Sequence, residues 1–177
     1  QMLMVLGLGE ALAGKGNPIE QIAVRDGLDH RPLLFTPKPD EGALGFMFKN
    51  RDLRLALTQA ALAHPLIKLI PKTKTNSLIR DQAKIEAELN DGSKVEAKLA
   101  VIAEGRQSPT RDALGFPLVK WDYDHAAIIA TIAHSQDHHN IAHEIFFSQG
   151  PFALLPLAGG KNSCVVWTVK RDQVAAY

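Results

Sequence analysis

The sequence predicts a mixed fold of the α/β (α+β) class, in which helices and strands alternate first and strands alone follow. Apolar residues recur at helical spacing near the start of the chain and again at residues 51–63. Apolar and charged residues alternate on both sides of the turn-forming stretch Asn90–Ser93, which is typical of a β-hairpin. After Pro117 the pattern favours strands only. Together these observations predict a mixed segment up to about residue 116 and then a β meander.

In the first part of the chain, each element is predicted from its apolar pattern and from the residues that end it. Gly14–Pro18 ends the first helix, and His64–Pro65 ends the second. The prolines at positions 32, 37 and 39 restrict the stretch around them to an edge strand or a loop. The predicted elements are a helix at residues 2–13, a half-buried strand at Ile19–Arg25, the edge or loop stretch Asp26–Gly42, a strand at Leu44–Phe48 and a helix at Arg51–Ala63.

The second part begins with the hairpin, whose arms are Ile85–Leu89 and Val95–Leu99. The uninterrupted apolar run Leu99–Ala103 predicts a strand that is buried on both faces. Ser108 followed by proline predicts the start of a short helix that ends at Leu114. A polar, histidine-rich loop separates the first two of the later strands. Those strands are Ala126–Ala133, Glu144–Phe147, Phe152–Leu157 and Ser163–Lys170.

Composition excludes several classes of protein. Of the 177 residues, 46% are hydrophobic and 22% are charged, as in an ordinary globular domain. A net charge of +1 gives no electrostatic case for binding nucleic acid. The single cysteine, Cys164, excludes an intrachain disulfide and a cysteine-built zinc site, and it fits a reducing compartment. No apolar run reaches the roughly 18 residues that a membrane crossing requires.

Both ends of the sequence indicate a piece of a longer protein. Gln1 opens directly into a helical apolar pattern with no capping residue before it, and Tyr177 follows closely on a strand-like run. We therefore expect further chain on both sides.

Two groups of reactive side chains are candidates for chemistry. His134, His138, His139 and His143 have a spacing at which imidazoles could bind a metal. Their turn-like, polar surroundings and the lack of a well-placed carboxylate favour a solvated loop, so no metal site is predicted. Cys164 lies inside an apolar strand, where a thiol usually packs as a small hydrophobe. No catalytic nucleophile or triad is predicted.

The stretch from Val101 to Arg111 has the features of a ligand site. An apolar strand runs into an acid–glycine pair, and a helix start rich in hydroxyl groups follows. Gly105 allows the backbone to approach a ligand closely, and Glu104 can accept a hydrogen bond from a hydroxyl. The start of the helix offers unpaired N–H groups. Spacing alone leaves both a ligand site and an ordinary strand–helix connection open.

These residues resemble a known family. Ala103–Arg111 is similar to the Asp-Gly-x-x-Ser-x-x-Arg motif of flavin-dependent aromatic hydroxylases of the p-hydroxybenzoate hydroxylase class. The chain as a whole resembles the ubiquinone-biosynthesis hydroxylases that modify polyprenylated phenols, and it corresponds to less than half of a full member. Glu104 stands where the family usually has aspartate. The other matching stretches are Gln1–Leu8, Asn50–Leu57, Trp121–Tyr123 with Ala127–Ala130, Phe146, Gly150–Leu157 and Val165–Trp167.

The resemblance implies a fragment of the p-hydroxybenzoate hydroxylase-like FAD/NAD(P)-binding fold with a mostly antiparallel substrate-domain sheet. Residues 1–116 would supply mainly parts of the FAD-binding domain, with 18–48 a candidate contribution to the substrate domain. Residues 117–177 would form the substrate-domain sheet. The family's Gly-x-Gly-x-x-Gly and Gly-Asp flavin motifs fall outside this chain. The isolated chain is therefore expected to bind FAD weakly or not at all.

The resemblance also implies a reaction and a set of contacts. A phenol ring would be hydroxylated through C4a-hydroperoxyflavin, formed from FAD, NAD(P)H and O2, so no protein nucleophile or metal is required. Arg51, Glu104, Gly105 and Arg111 would serve the cofactor, with Arg111 holding the turn. Phe146, Leu154 and Pro156 would line the substrate pocket, and simple core packing is an equally good account of each of these three.

Alternative functions stay open at this point. A flavin hydroxylase of a small, water-soluble aromatic compound is one, and a non-catalytic binding or assembly module is another. For the ubiquinone enzyme, the resemblance implies a cytoplasmic protein that associates peripherally with the inner face of the membrane or with a biosynthetic complex, because its substrate is dissolved in the membrane.

Overall fold

A computed structural model of the chain describes residues 2–81 and 83–177. These residues form two compact units. The larger unit combines the residues up to Leu66 with Tyr123–Tyr177, and the smaller unit is Ile67–Asp122. The mixture of helices with mostly antiparallel sheets confirms the predicted α+β class.

The secondary-structure elements are numbered in chain order. The helices are α1 (Met2–Val5), α2 (Gly9–Leu12), α3 (Asn50–Ala63) and α4 (Pro109–Ala113), and a 3-10 helix spans Arg171–Ala176. The strands are β1 (Gly16–Ile19), β2 (Gln21–Asp26), β3 (Leu33–Phe35), β4 (Gly45–Phe48), β5 (Thr75–Arg80), β6 (Ile85–Leu89), β7 (Lys94–Ala97), β8 (His125–Ala133), β9 (Ile141–Phe147), β10 (Gly150–Leu157) and β11 (Asn162–Lys170). Among the described residues, no helix has both the length and the apolar character that a membrane crossing requires.

The main sheet of the larger unit has six strands in the order β3-β2-β9-β10-β11-β8. Neighbouring strands are antiparallel except β2 and β9, which run parallel. Strands β9, β10 and β11 follow one another as predicted, but β8 pairs with β11 on the far side of the sheet from β9. The prediction of a simple meander is therefore wrong. The loop of residues 134–140 carries the chain past two strands before β9 begins.

The start of the chain differs from the single helix predicted at residues 2–13. Gly7, between α1 and α2, adopts a φ of +72°. This left-handed conformation suits glycine and interrupts a right-handed helix, so the prediction of one continuous helix is wrong. After the break, Leu8 and Leu12 pack with Ala56 of α3 in a small buried core.

Strand β1 was not predicted, since Gly16, Asn17 and Pro18 have low strand propensity. It pairs antiparallel with β4, with Gly16 opposite Phe48. A Cβ at position 16 would lie 2.5 Å from the Phe48 ring, so any larger residue at this crossing point would require that ring to move. Tertiary contact therefore overrides the local pattern here.

The smaller unit contains a three-stranded antiparallel sheet in the order β5-β6-β7. The predicted hairpin is confirmed as β6 and β7, and the predicted short helix is confirmed as α4. The buried strand predicted at Leu99–Ala103 is wrong, because none of the described strands pairs with it. Val101 is 81% exposed. An apolar run becomes a strand only where a neighbour completes its backbone hydrogen bonds.

Candidate functional site

The acid–glycine turn of the smaller unit is built around the carboxylate of Glu104. Its Oε2 accepts hydrogen bonds from the Ser108 hydroxyl at 2.5 Å and from the Thr110 backbone N–H at 3.1 Å. Its Oε1 accepts from the Thr110 hydroxyl at 2.8 Å. Ser108 in turn caps α4, because its Oγ accepts from the backbone N–H of Arg111 at 3.1 Å. Glu104 thus ties the turn to the start of α4.

The same contacts control the charge of Glu104. The hydrogen bonds from the Ser108 and Thr110 hydroxyls lower the pKa of this carboxyl below its ordinary value, and the positive charge of Arg111 adds to the effect. The side chain is therefore ionised at neutral pH. Both of its oxygens already have partners inside the turn, and a cofactor hydroxyl would compete with them.

Gly105 and Arg111 complete this turn. Gly105 has a φ of +81°, which favours glycine, although no heavy atom lies within 4 Å of the place that a Cβ would take. Arg111 donates from Nη1 to the carbonyl of Arg106 at 3.1 Å and from Nε and Nη2 to Asp112 Oδ1 at 2.9 and 2.8 Å. The structure therefore brings three of the predicted cofactor residues into one turn, with their polar groups engaged within it.

Arg51, the fourth predicted cofactor residue, lies in the first turn of α3 in the larger unit. It lines an open groove with Asn50, Arg54, Leu55 and Thr58. Both arginines are exposed. The N-cap residue, Lys49, makes no side-chain capping hydrogen bond. A helix start of this kind, with guanidinium groups beside it, suits a phosphate or a flavin oxygen.

The register of the six-stranded sheet decides which side chains share a face. Directly paired residues point to the same side, and successive residues alternate. His143 pairs with Leu154, and Leu154 with Val165, so these three lie on one side, which we name the His143 face. Pro156 lies two residues beyond Leu154 and shares that face. Leu154 is half-buried and Pro156 is buried.

Phe146 lies on the opposite side of the sheet, the Phe146 face. It pairs with Pro151 and is 51% exposed. The structure therefore brings Leu154 and Pro156 together but separates Phe146 from them. The three predicted pocket residues do not form one wall of this sheet.

The histidine-rich loop is held against the ends of β10 and β11. His138 Nε2 donates to the carbonyl of Leu157 at 2.8 Å, while its Nδ1 accepts from the backbone N–H of Asn140 at 3.0 Å. His134 bonds through Nε2 to the Ser163 hydroxyl at 2.9 Å. Across the described residues, no three His, Cys, Asp or Glu side chains are grouped to hold a metal ion. These two imidazoles secure the loop.

The sequence did not single out Arg25 on β2, and it indicated His143 on β9 only as a member of the histidine group, not as part of a site on this face. Alternation along β2 places Ala23 and Arg25 on the same side, and a parallel pairing sets Ala23 opposite His143. The alternation is visible in the sequence. The pairing of β2 with β9 joins residues more than a hundred positions apart and is not, so nothing indicated that the two side chains meet.

A helix start flanked by two exposed arginines, within the larger unit, fits the class of flavin-binding proteins. The family model described as an FAD binding domain matches residues 1–176. The chain belongs to this FAD-binding family. The donor set at the start of α3 fits FAD, since Arg51 and Arg54 can meet its phosphates or its flavin oxygens.

Several relatives are named as enzymes of ubiquinone biosynthesis. The chain is 35% identical to the ubiquinone hydroxylase UbiL of Rhodospirillum rubrum over 174 residues, which cover 98% of this chain and 40% of that protein. It is 38% identical to the mitochondrial ubiquinone biosynthesis monooxygenase COQ6 of Xenopus tropicalis over 92 residues, or 51% of this chain and 20% of that protein. The chain thus spans well under half the length of these relatives. The resemblance inferred from the sequence is confirmed.

The fold has a counterpart among solved structures. PqsL, a probable FAD-dependent monooxygenase from Pseudomonas aeruginosa, matches with a TM-score of 0.81 at 19% identity, over 98% of this chain and 49% of that one. The predicted p-hydroxybenzoate hydroxylase-like fold is confirmed.

Proposed function

We propose that this chain contributes flavin-binding and substrate-binding surfaces to an FAD-dependent hydroxylase of ubiquinone biosynthesis that acts on a polyprenylated phenol. The observation that carries the proposal is the 35% identity to a ubiquinone hydroxylase over 98% of the chain. Because the chain spans 40% of that relative, the activity is proposed for the whole protein to which these surfaces belong.

Within that protein, residues 1–116 would serve mainly the FAD-binding domain and residues 117–177 the substrate-domain sheet. The stretch 18–48 would contribute to the substrate domain. The position of β2 and β3 in the same sheet as β8–β11 supports this assignment of 18–48. Glu104, Gly105 and Arg111 would shape the turn that faces the cofactor.

When bound, FAD supplies the redox chemistry that activates O2, and NAD(P)H is the proposed reductant. Arg51 would hold a phosphate or flavin oxygen through charge-assisted hydrogen bonds, and the neighbouring Arg54 would add positive charge. Leu154 and Pro156 would form part of an apolar floor that excludes water from the ring. Phe146 would contact substrate only from the other side of the sheet, and packing is the simpler role for it.

The function is tested by deleting the gene and analysing quinones by mass spectrometry. The expected result is accumulation of an unhydroxylated polyprenylphenol, restored to ubiquinone by the wild-type gene. Arg51→Gln should restore it poorly, whereas Arg31→Gln, at an exposed arginine in the β2–β3 connection, should restore it fully. Normal ubiquinone in the deletion strain would contradict the proposal. If the strain instead fails to hydroxylate a small aromatic compound, the protein is a flavin hydroxylase of a small, water-soluble substrate.

Two accompanying proposals are tested separately. The 177-residue chain should bind FAD weakly, which a titration of flavin fluorescence measures, and a tight stoichiometric complex would contradict this. The whole protein should associate peripherally with the cytoplasmic side of the membrane that holds its substrate. Cell fractionation with a high-salt wash tests this, and complete absence from the membrane fraction would overturn it.

A further inference from the structure

Arg25 and His143 are neighbours on the His143 face. In the parallel pair of β2 and β9, Ala23 lies opposite His143 and Arg25 opposite Ile145, so Arg25 and His143 are diagonal neighbours. Diagonal neighbours in a sheet lie roughly 7–8 Å apart, which is within reach of a long side chain. Both side chains are half-buried. Two polar groups thus stand next to each other on a largely apolar face.

Neither group is satisfied by the protein. Arg25 Nε is buried and has no hydrogen-bond partner. Within the described part of the chain, the Arg25 side chain forms no ion pair and the His143 imidazole forms no hydrogen bond. The carboxylates adjacent in sequence, Asp26 and Glu144, alternate onto the Phe146 face. A buried donor without a partner is costly, and an acceptor supplied by a ligand would remove part of that cost.

The surroundings define the shape of what could bind. The row of residues across the sheet at this level is apolar, with Ile145 beside Phe152 and Phe152 beside Trp167. The rings of Phe152 and Trp167 are 6.0 Å apart in an edge-on arrangement. On the other side of His143, this imidazole and the apolar Ile132 and Leu154 line a separate cavity of about 300 Å³. The rest of its lining is polar: His134, Ser135, Gln136, Asp137 and His138. The apolar floor is therefore the row Ile145, Phe152 and Trp167, with Arg25 and His143 beside it. Such a floor with a few polar groups is typical of a site for a flat ring that carries one oxygen.

The protonation state of His143 favours a particular oxygen. Burial lowers the pKa of this imidazole below its ordinary value, and the positive charge of Arg25 lowers it further. At neutral pH the ring is therefore uncharged and has one nitrogen free to accept a hydrogen bond. Arg25 can only donate. A phenolic hydroxyl complements both groups, because its oxygen accepts and its hydrogen donates.

We propose that Arg25 and His143 bind the phenolic oxygen of the substrate ring, Arg25 donating a hydrogen bond to the oxygen and His143 accepting one from its hydroxyl. The inference rests on the proposed function and names the residues that orient the ring. Held in this way, the ring lies against Ile145 and Phe152 with its oxygen towards β2.

The proposal is tested by calorimetric titration of the 177-residue chain at neutral pH with 4-methylphenol, which keeps its hydroxyl hydrogen there, and with 4-methylanisole, in which a methyl group replaces that hydrogen. The wild-type chain should bind the phenol at least tenfold more tightly than the ether. Arg25→Gln and His143→Phe should each weaken binding of the phenol about tenfold and leave the ether little changed, as expected for a lost hydrogen bond to a charged or buried partner.

Matched controls use residues of the same type away from this face. Arg31→Gln and His139→Gln should leave the affinity for 4-methylphenol unchanged; the His139 side chain is 78% exposed. Arg25→Lys and His143→Gln keep a donor and an acceptor, respectively, and should retain part of the affinity. Amide NMR spectra identify any variant that unfolds. If Arg25→Gln or His143→Phe unfolds, the affinities of Arg25→Lys and His143→Gln are compared with that of the wild type instead.

Three results would overturn the inference: equal affinity of the wild-type chain for phenol and ether, no binding of either probe, or unchanged affinity in Arg25→Gln. A preference for 4-nitrobenzoate that depends on Arg25 but not on His143 would identify a carboxylate site instead. The proposed function fails separately. Normal ubiquinone in the deletion strain combined with Arg25-dependent phenol binding would leave a phenol site in a protein of another pathway.

Discussion

The acid–glycine turn and the His143 face differ in whether their polar side chains have hydrogen-bond partners within the protein. In the turn, Glu104 uses both oxygens on Ser108 and Thr110, and Arg111 bonds to the turn it follows. On the His143 face, Arg25 Nε and Trp167 Nε1 are buried without a partner. The turn resembles the family's flavin motif in sequence and yet is closed on itself. The face carries no sequence motif at these positions and yet leaves donors unpaired.

This difference indicates where hydrogen bonds to a ligand would contribute the most binding free energy. A ligand that approaches Glu104 must displace existing hydrogen bonds, so little net free energy is gained. A ligand that meets Arg25 satisfies a donor that the protein leaves unpaired. Resemblance to a motif and readiness to bind are therefore separate properties, and in this chain they fall on different residues.

The largest expected effect comes from breaking the turn. Ser108→Ala removes the capping oxygen of α4 and one partner of Glu104, and Ser108 is only 4% exposed. The free energy of unfolding should fall by about 1–2 kcal/mol, as for other lost N-caps. Urea denaturation measures the loss, and faster amide exchange at Arg111 locates it. Ser148→Ala, at an exposed turn position, should change stability by less than about 0.5 kcal/mol; equal losses would mean that the cap contributes nothing.

On the His143 face the corresponding change should act in the opposite direction. Arg25→Met replaces an unpaired buried donor with an apolar chain of similar length, so the free energy of unfolding should rise by about 1 kcal/mol. Denaturation of the ligand-free chain measures it, with Arg31→Met as the exposed control. A destabilised Arg25→Met variant would show that the guanidinium has a partner in the folded chain and would remove the contrast between the two regions.

A smaller effect is the pH dependence of stability that His143 gives to its face of the sheet. The pKa of His143 is lowered in the folded chain, so between that value and the unfolded value of 6.5 the unfolded chain binds more protons. Stability should therefore fall as the pH drops below about 6.5. His143→Gln should reduce this fall, and His139→Gln should not. Urea midpoints at a series of pH values give the comparison; identical curves for wild type and His143→Gln would contradict it.

Whether the sequence predicts an element depends on how far apart in the chain the residues that determine it lie. The hairpin β6–β7, the helix α3 and the cap of α4 were predicted because turn residues and caps lie within a few positions of what they control. Strand β1, the placement of β8 beside β11 and the pairing of β2 with β9 were not, because each depends on a partner distant in the chain. The side of the sheet on which Phe146 lies depends on the same pairing, since a shift of one residue exchanges the faces.

The same distinction applies to the sites. Glu104, Gly105 and Arg111 are a local constellation, and the sequence predicts that they lie together, although the engagement of both Glu104 oxygens depends on side-chain geometry. Arg25 and His143 become a pair only through the sheet. Arg25 alone is an ordinary polar residue on an alternating strand, and the local pattern indicates His143 only as one of four closely spaced histidines. Nothing in either stretch selects the two as a pair.

The smallest expected effect concerns the charge of Glu104, because solvent screens an exposed carboxylate. Its pKa is lowered below 4.5 in the folded chain, so its contribution is present above that pH and is lost as the pH falls through the folded value. In the wild type, the amide proton of Thr110 should therefore shift with a midpoint below 4.5 when NMR spectra are recorded from about pH 6 to about pH 3. Glu104→Gln should abolish this shift, and Glu41→Gln, at an exposed glutamate in the larger unit, should preserve it. A Thr110 amide that still titrates in Glu104→Gln would mean that another carboxylate closes the turn, and the oxygens of Glu104 would then be free for a cofactor hydroxyl, as the resemblance implied.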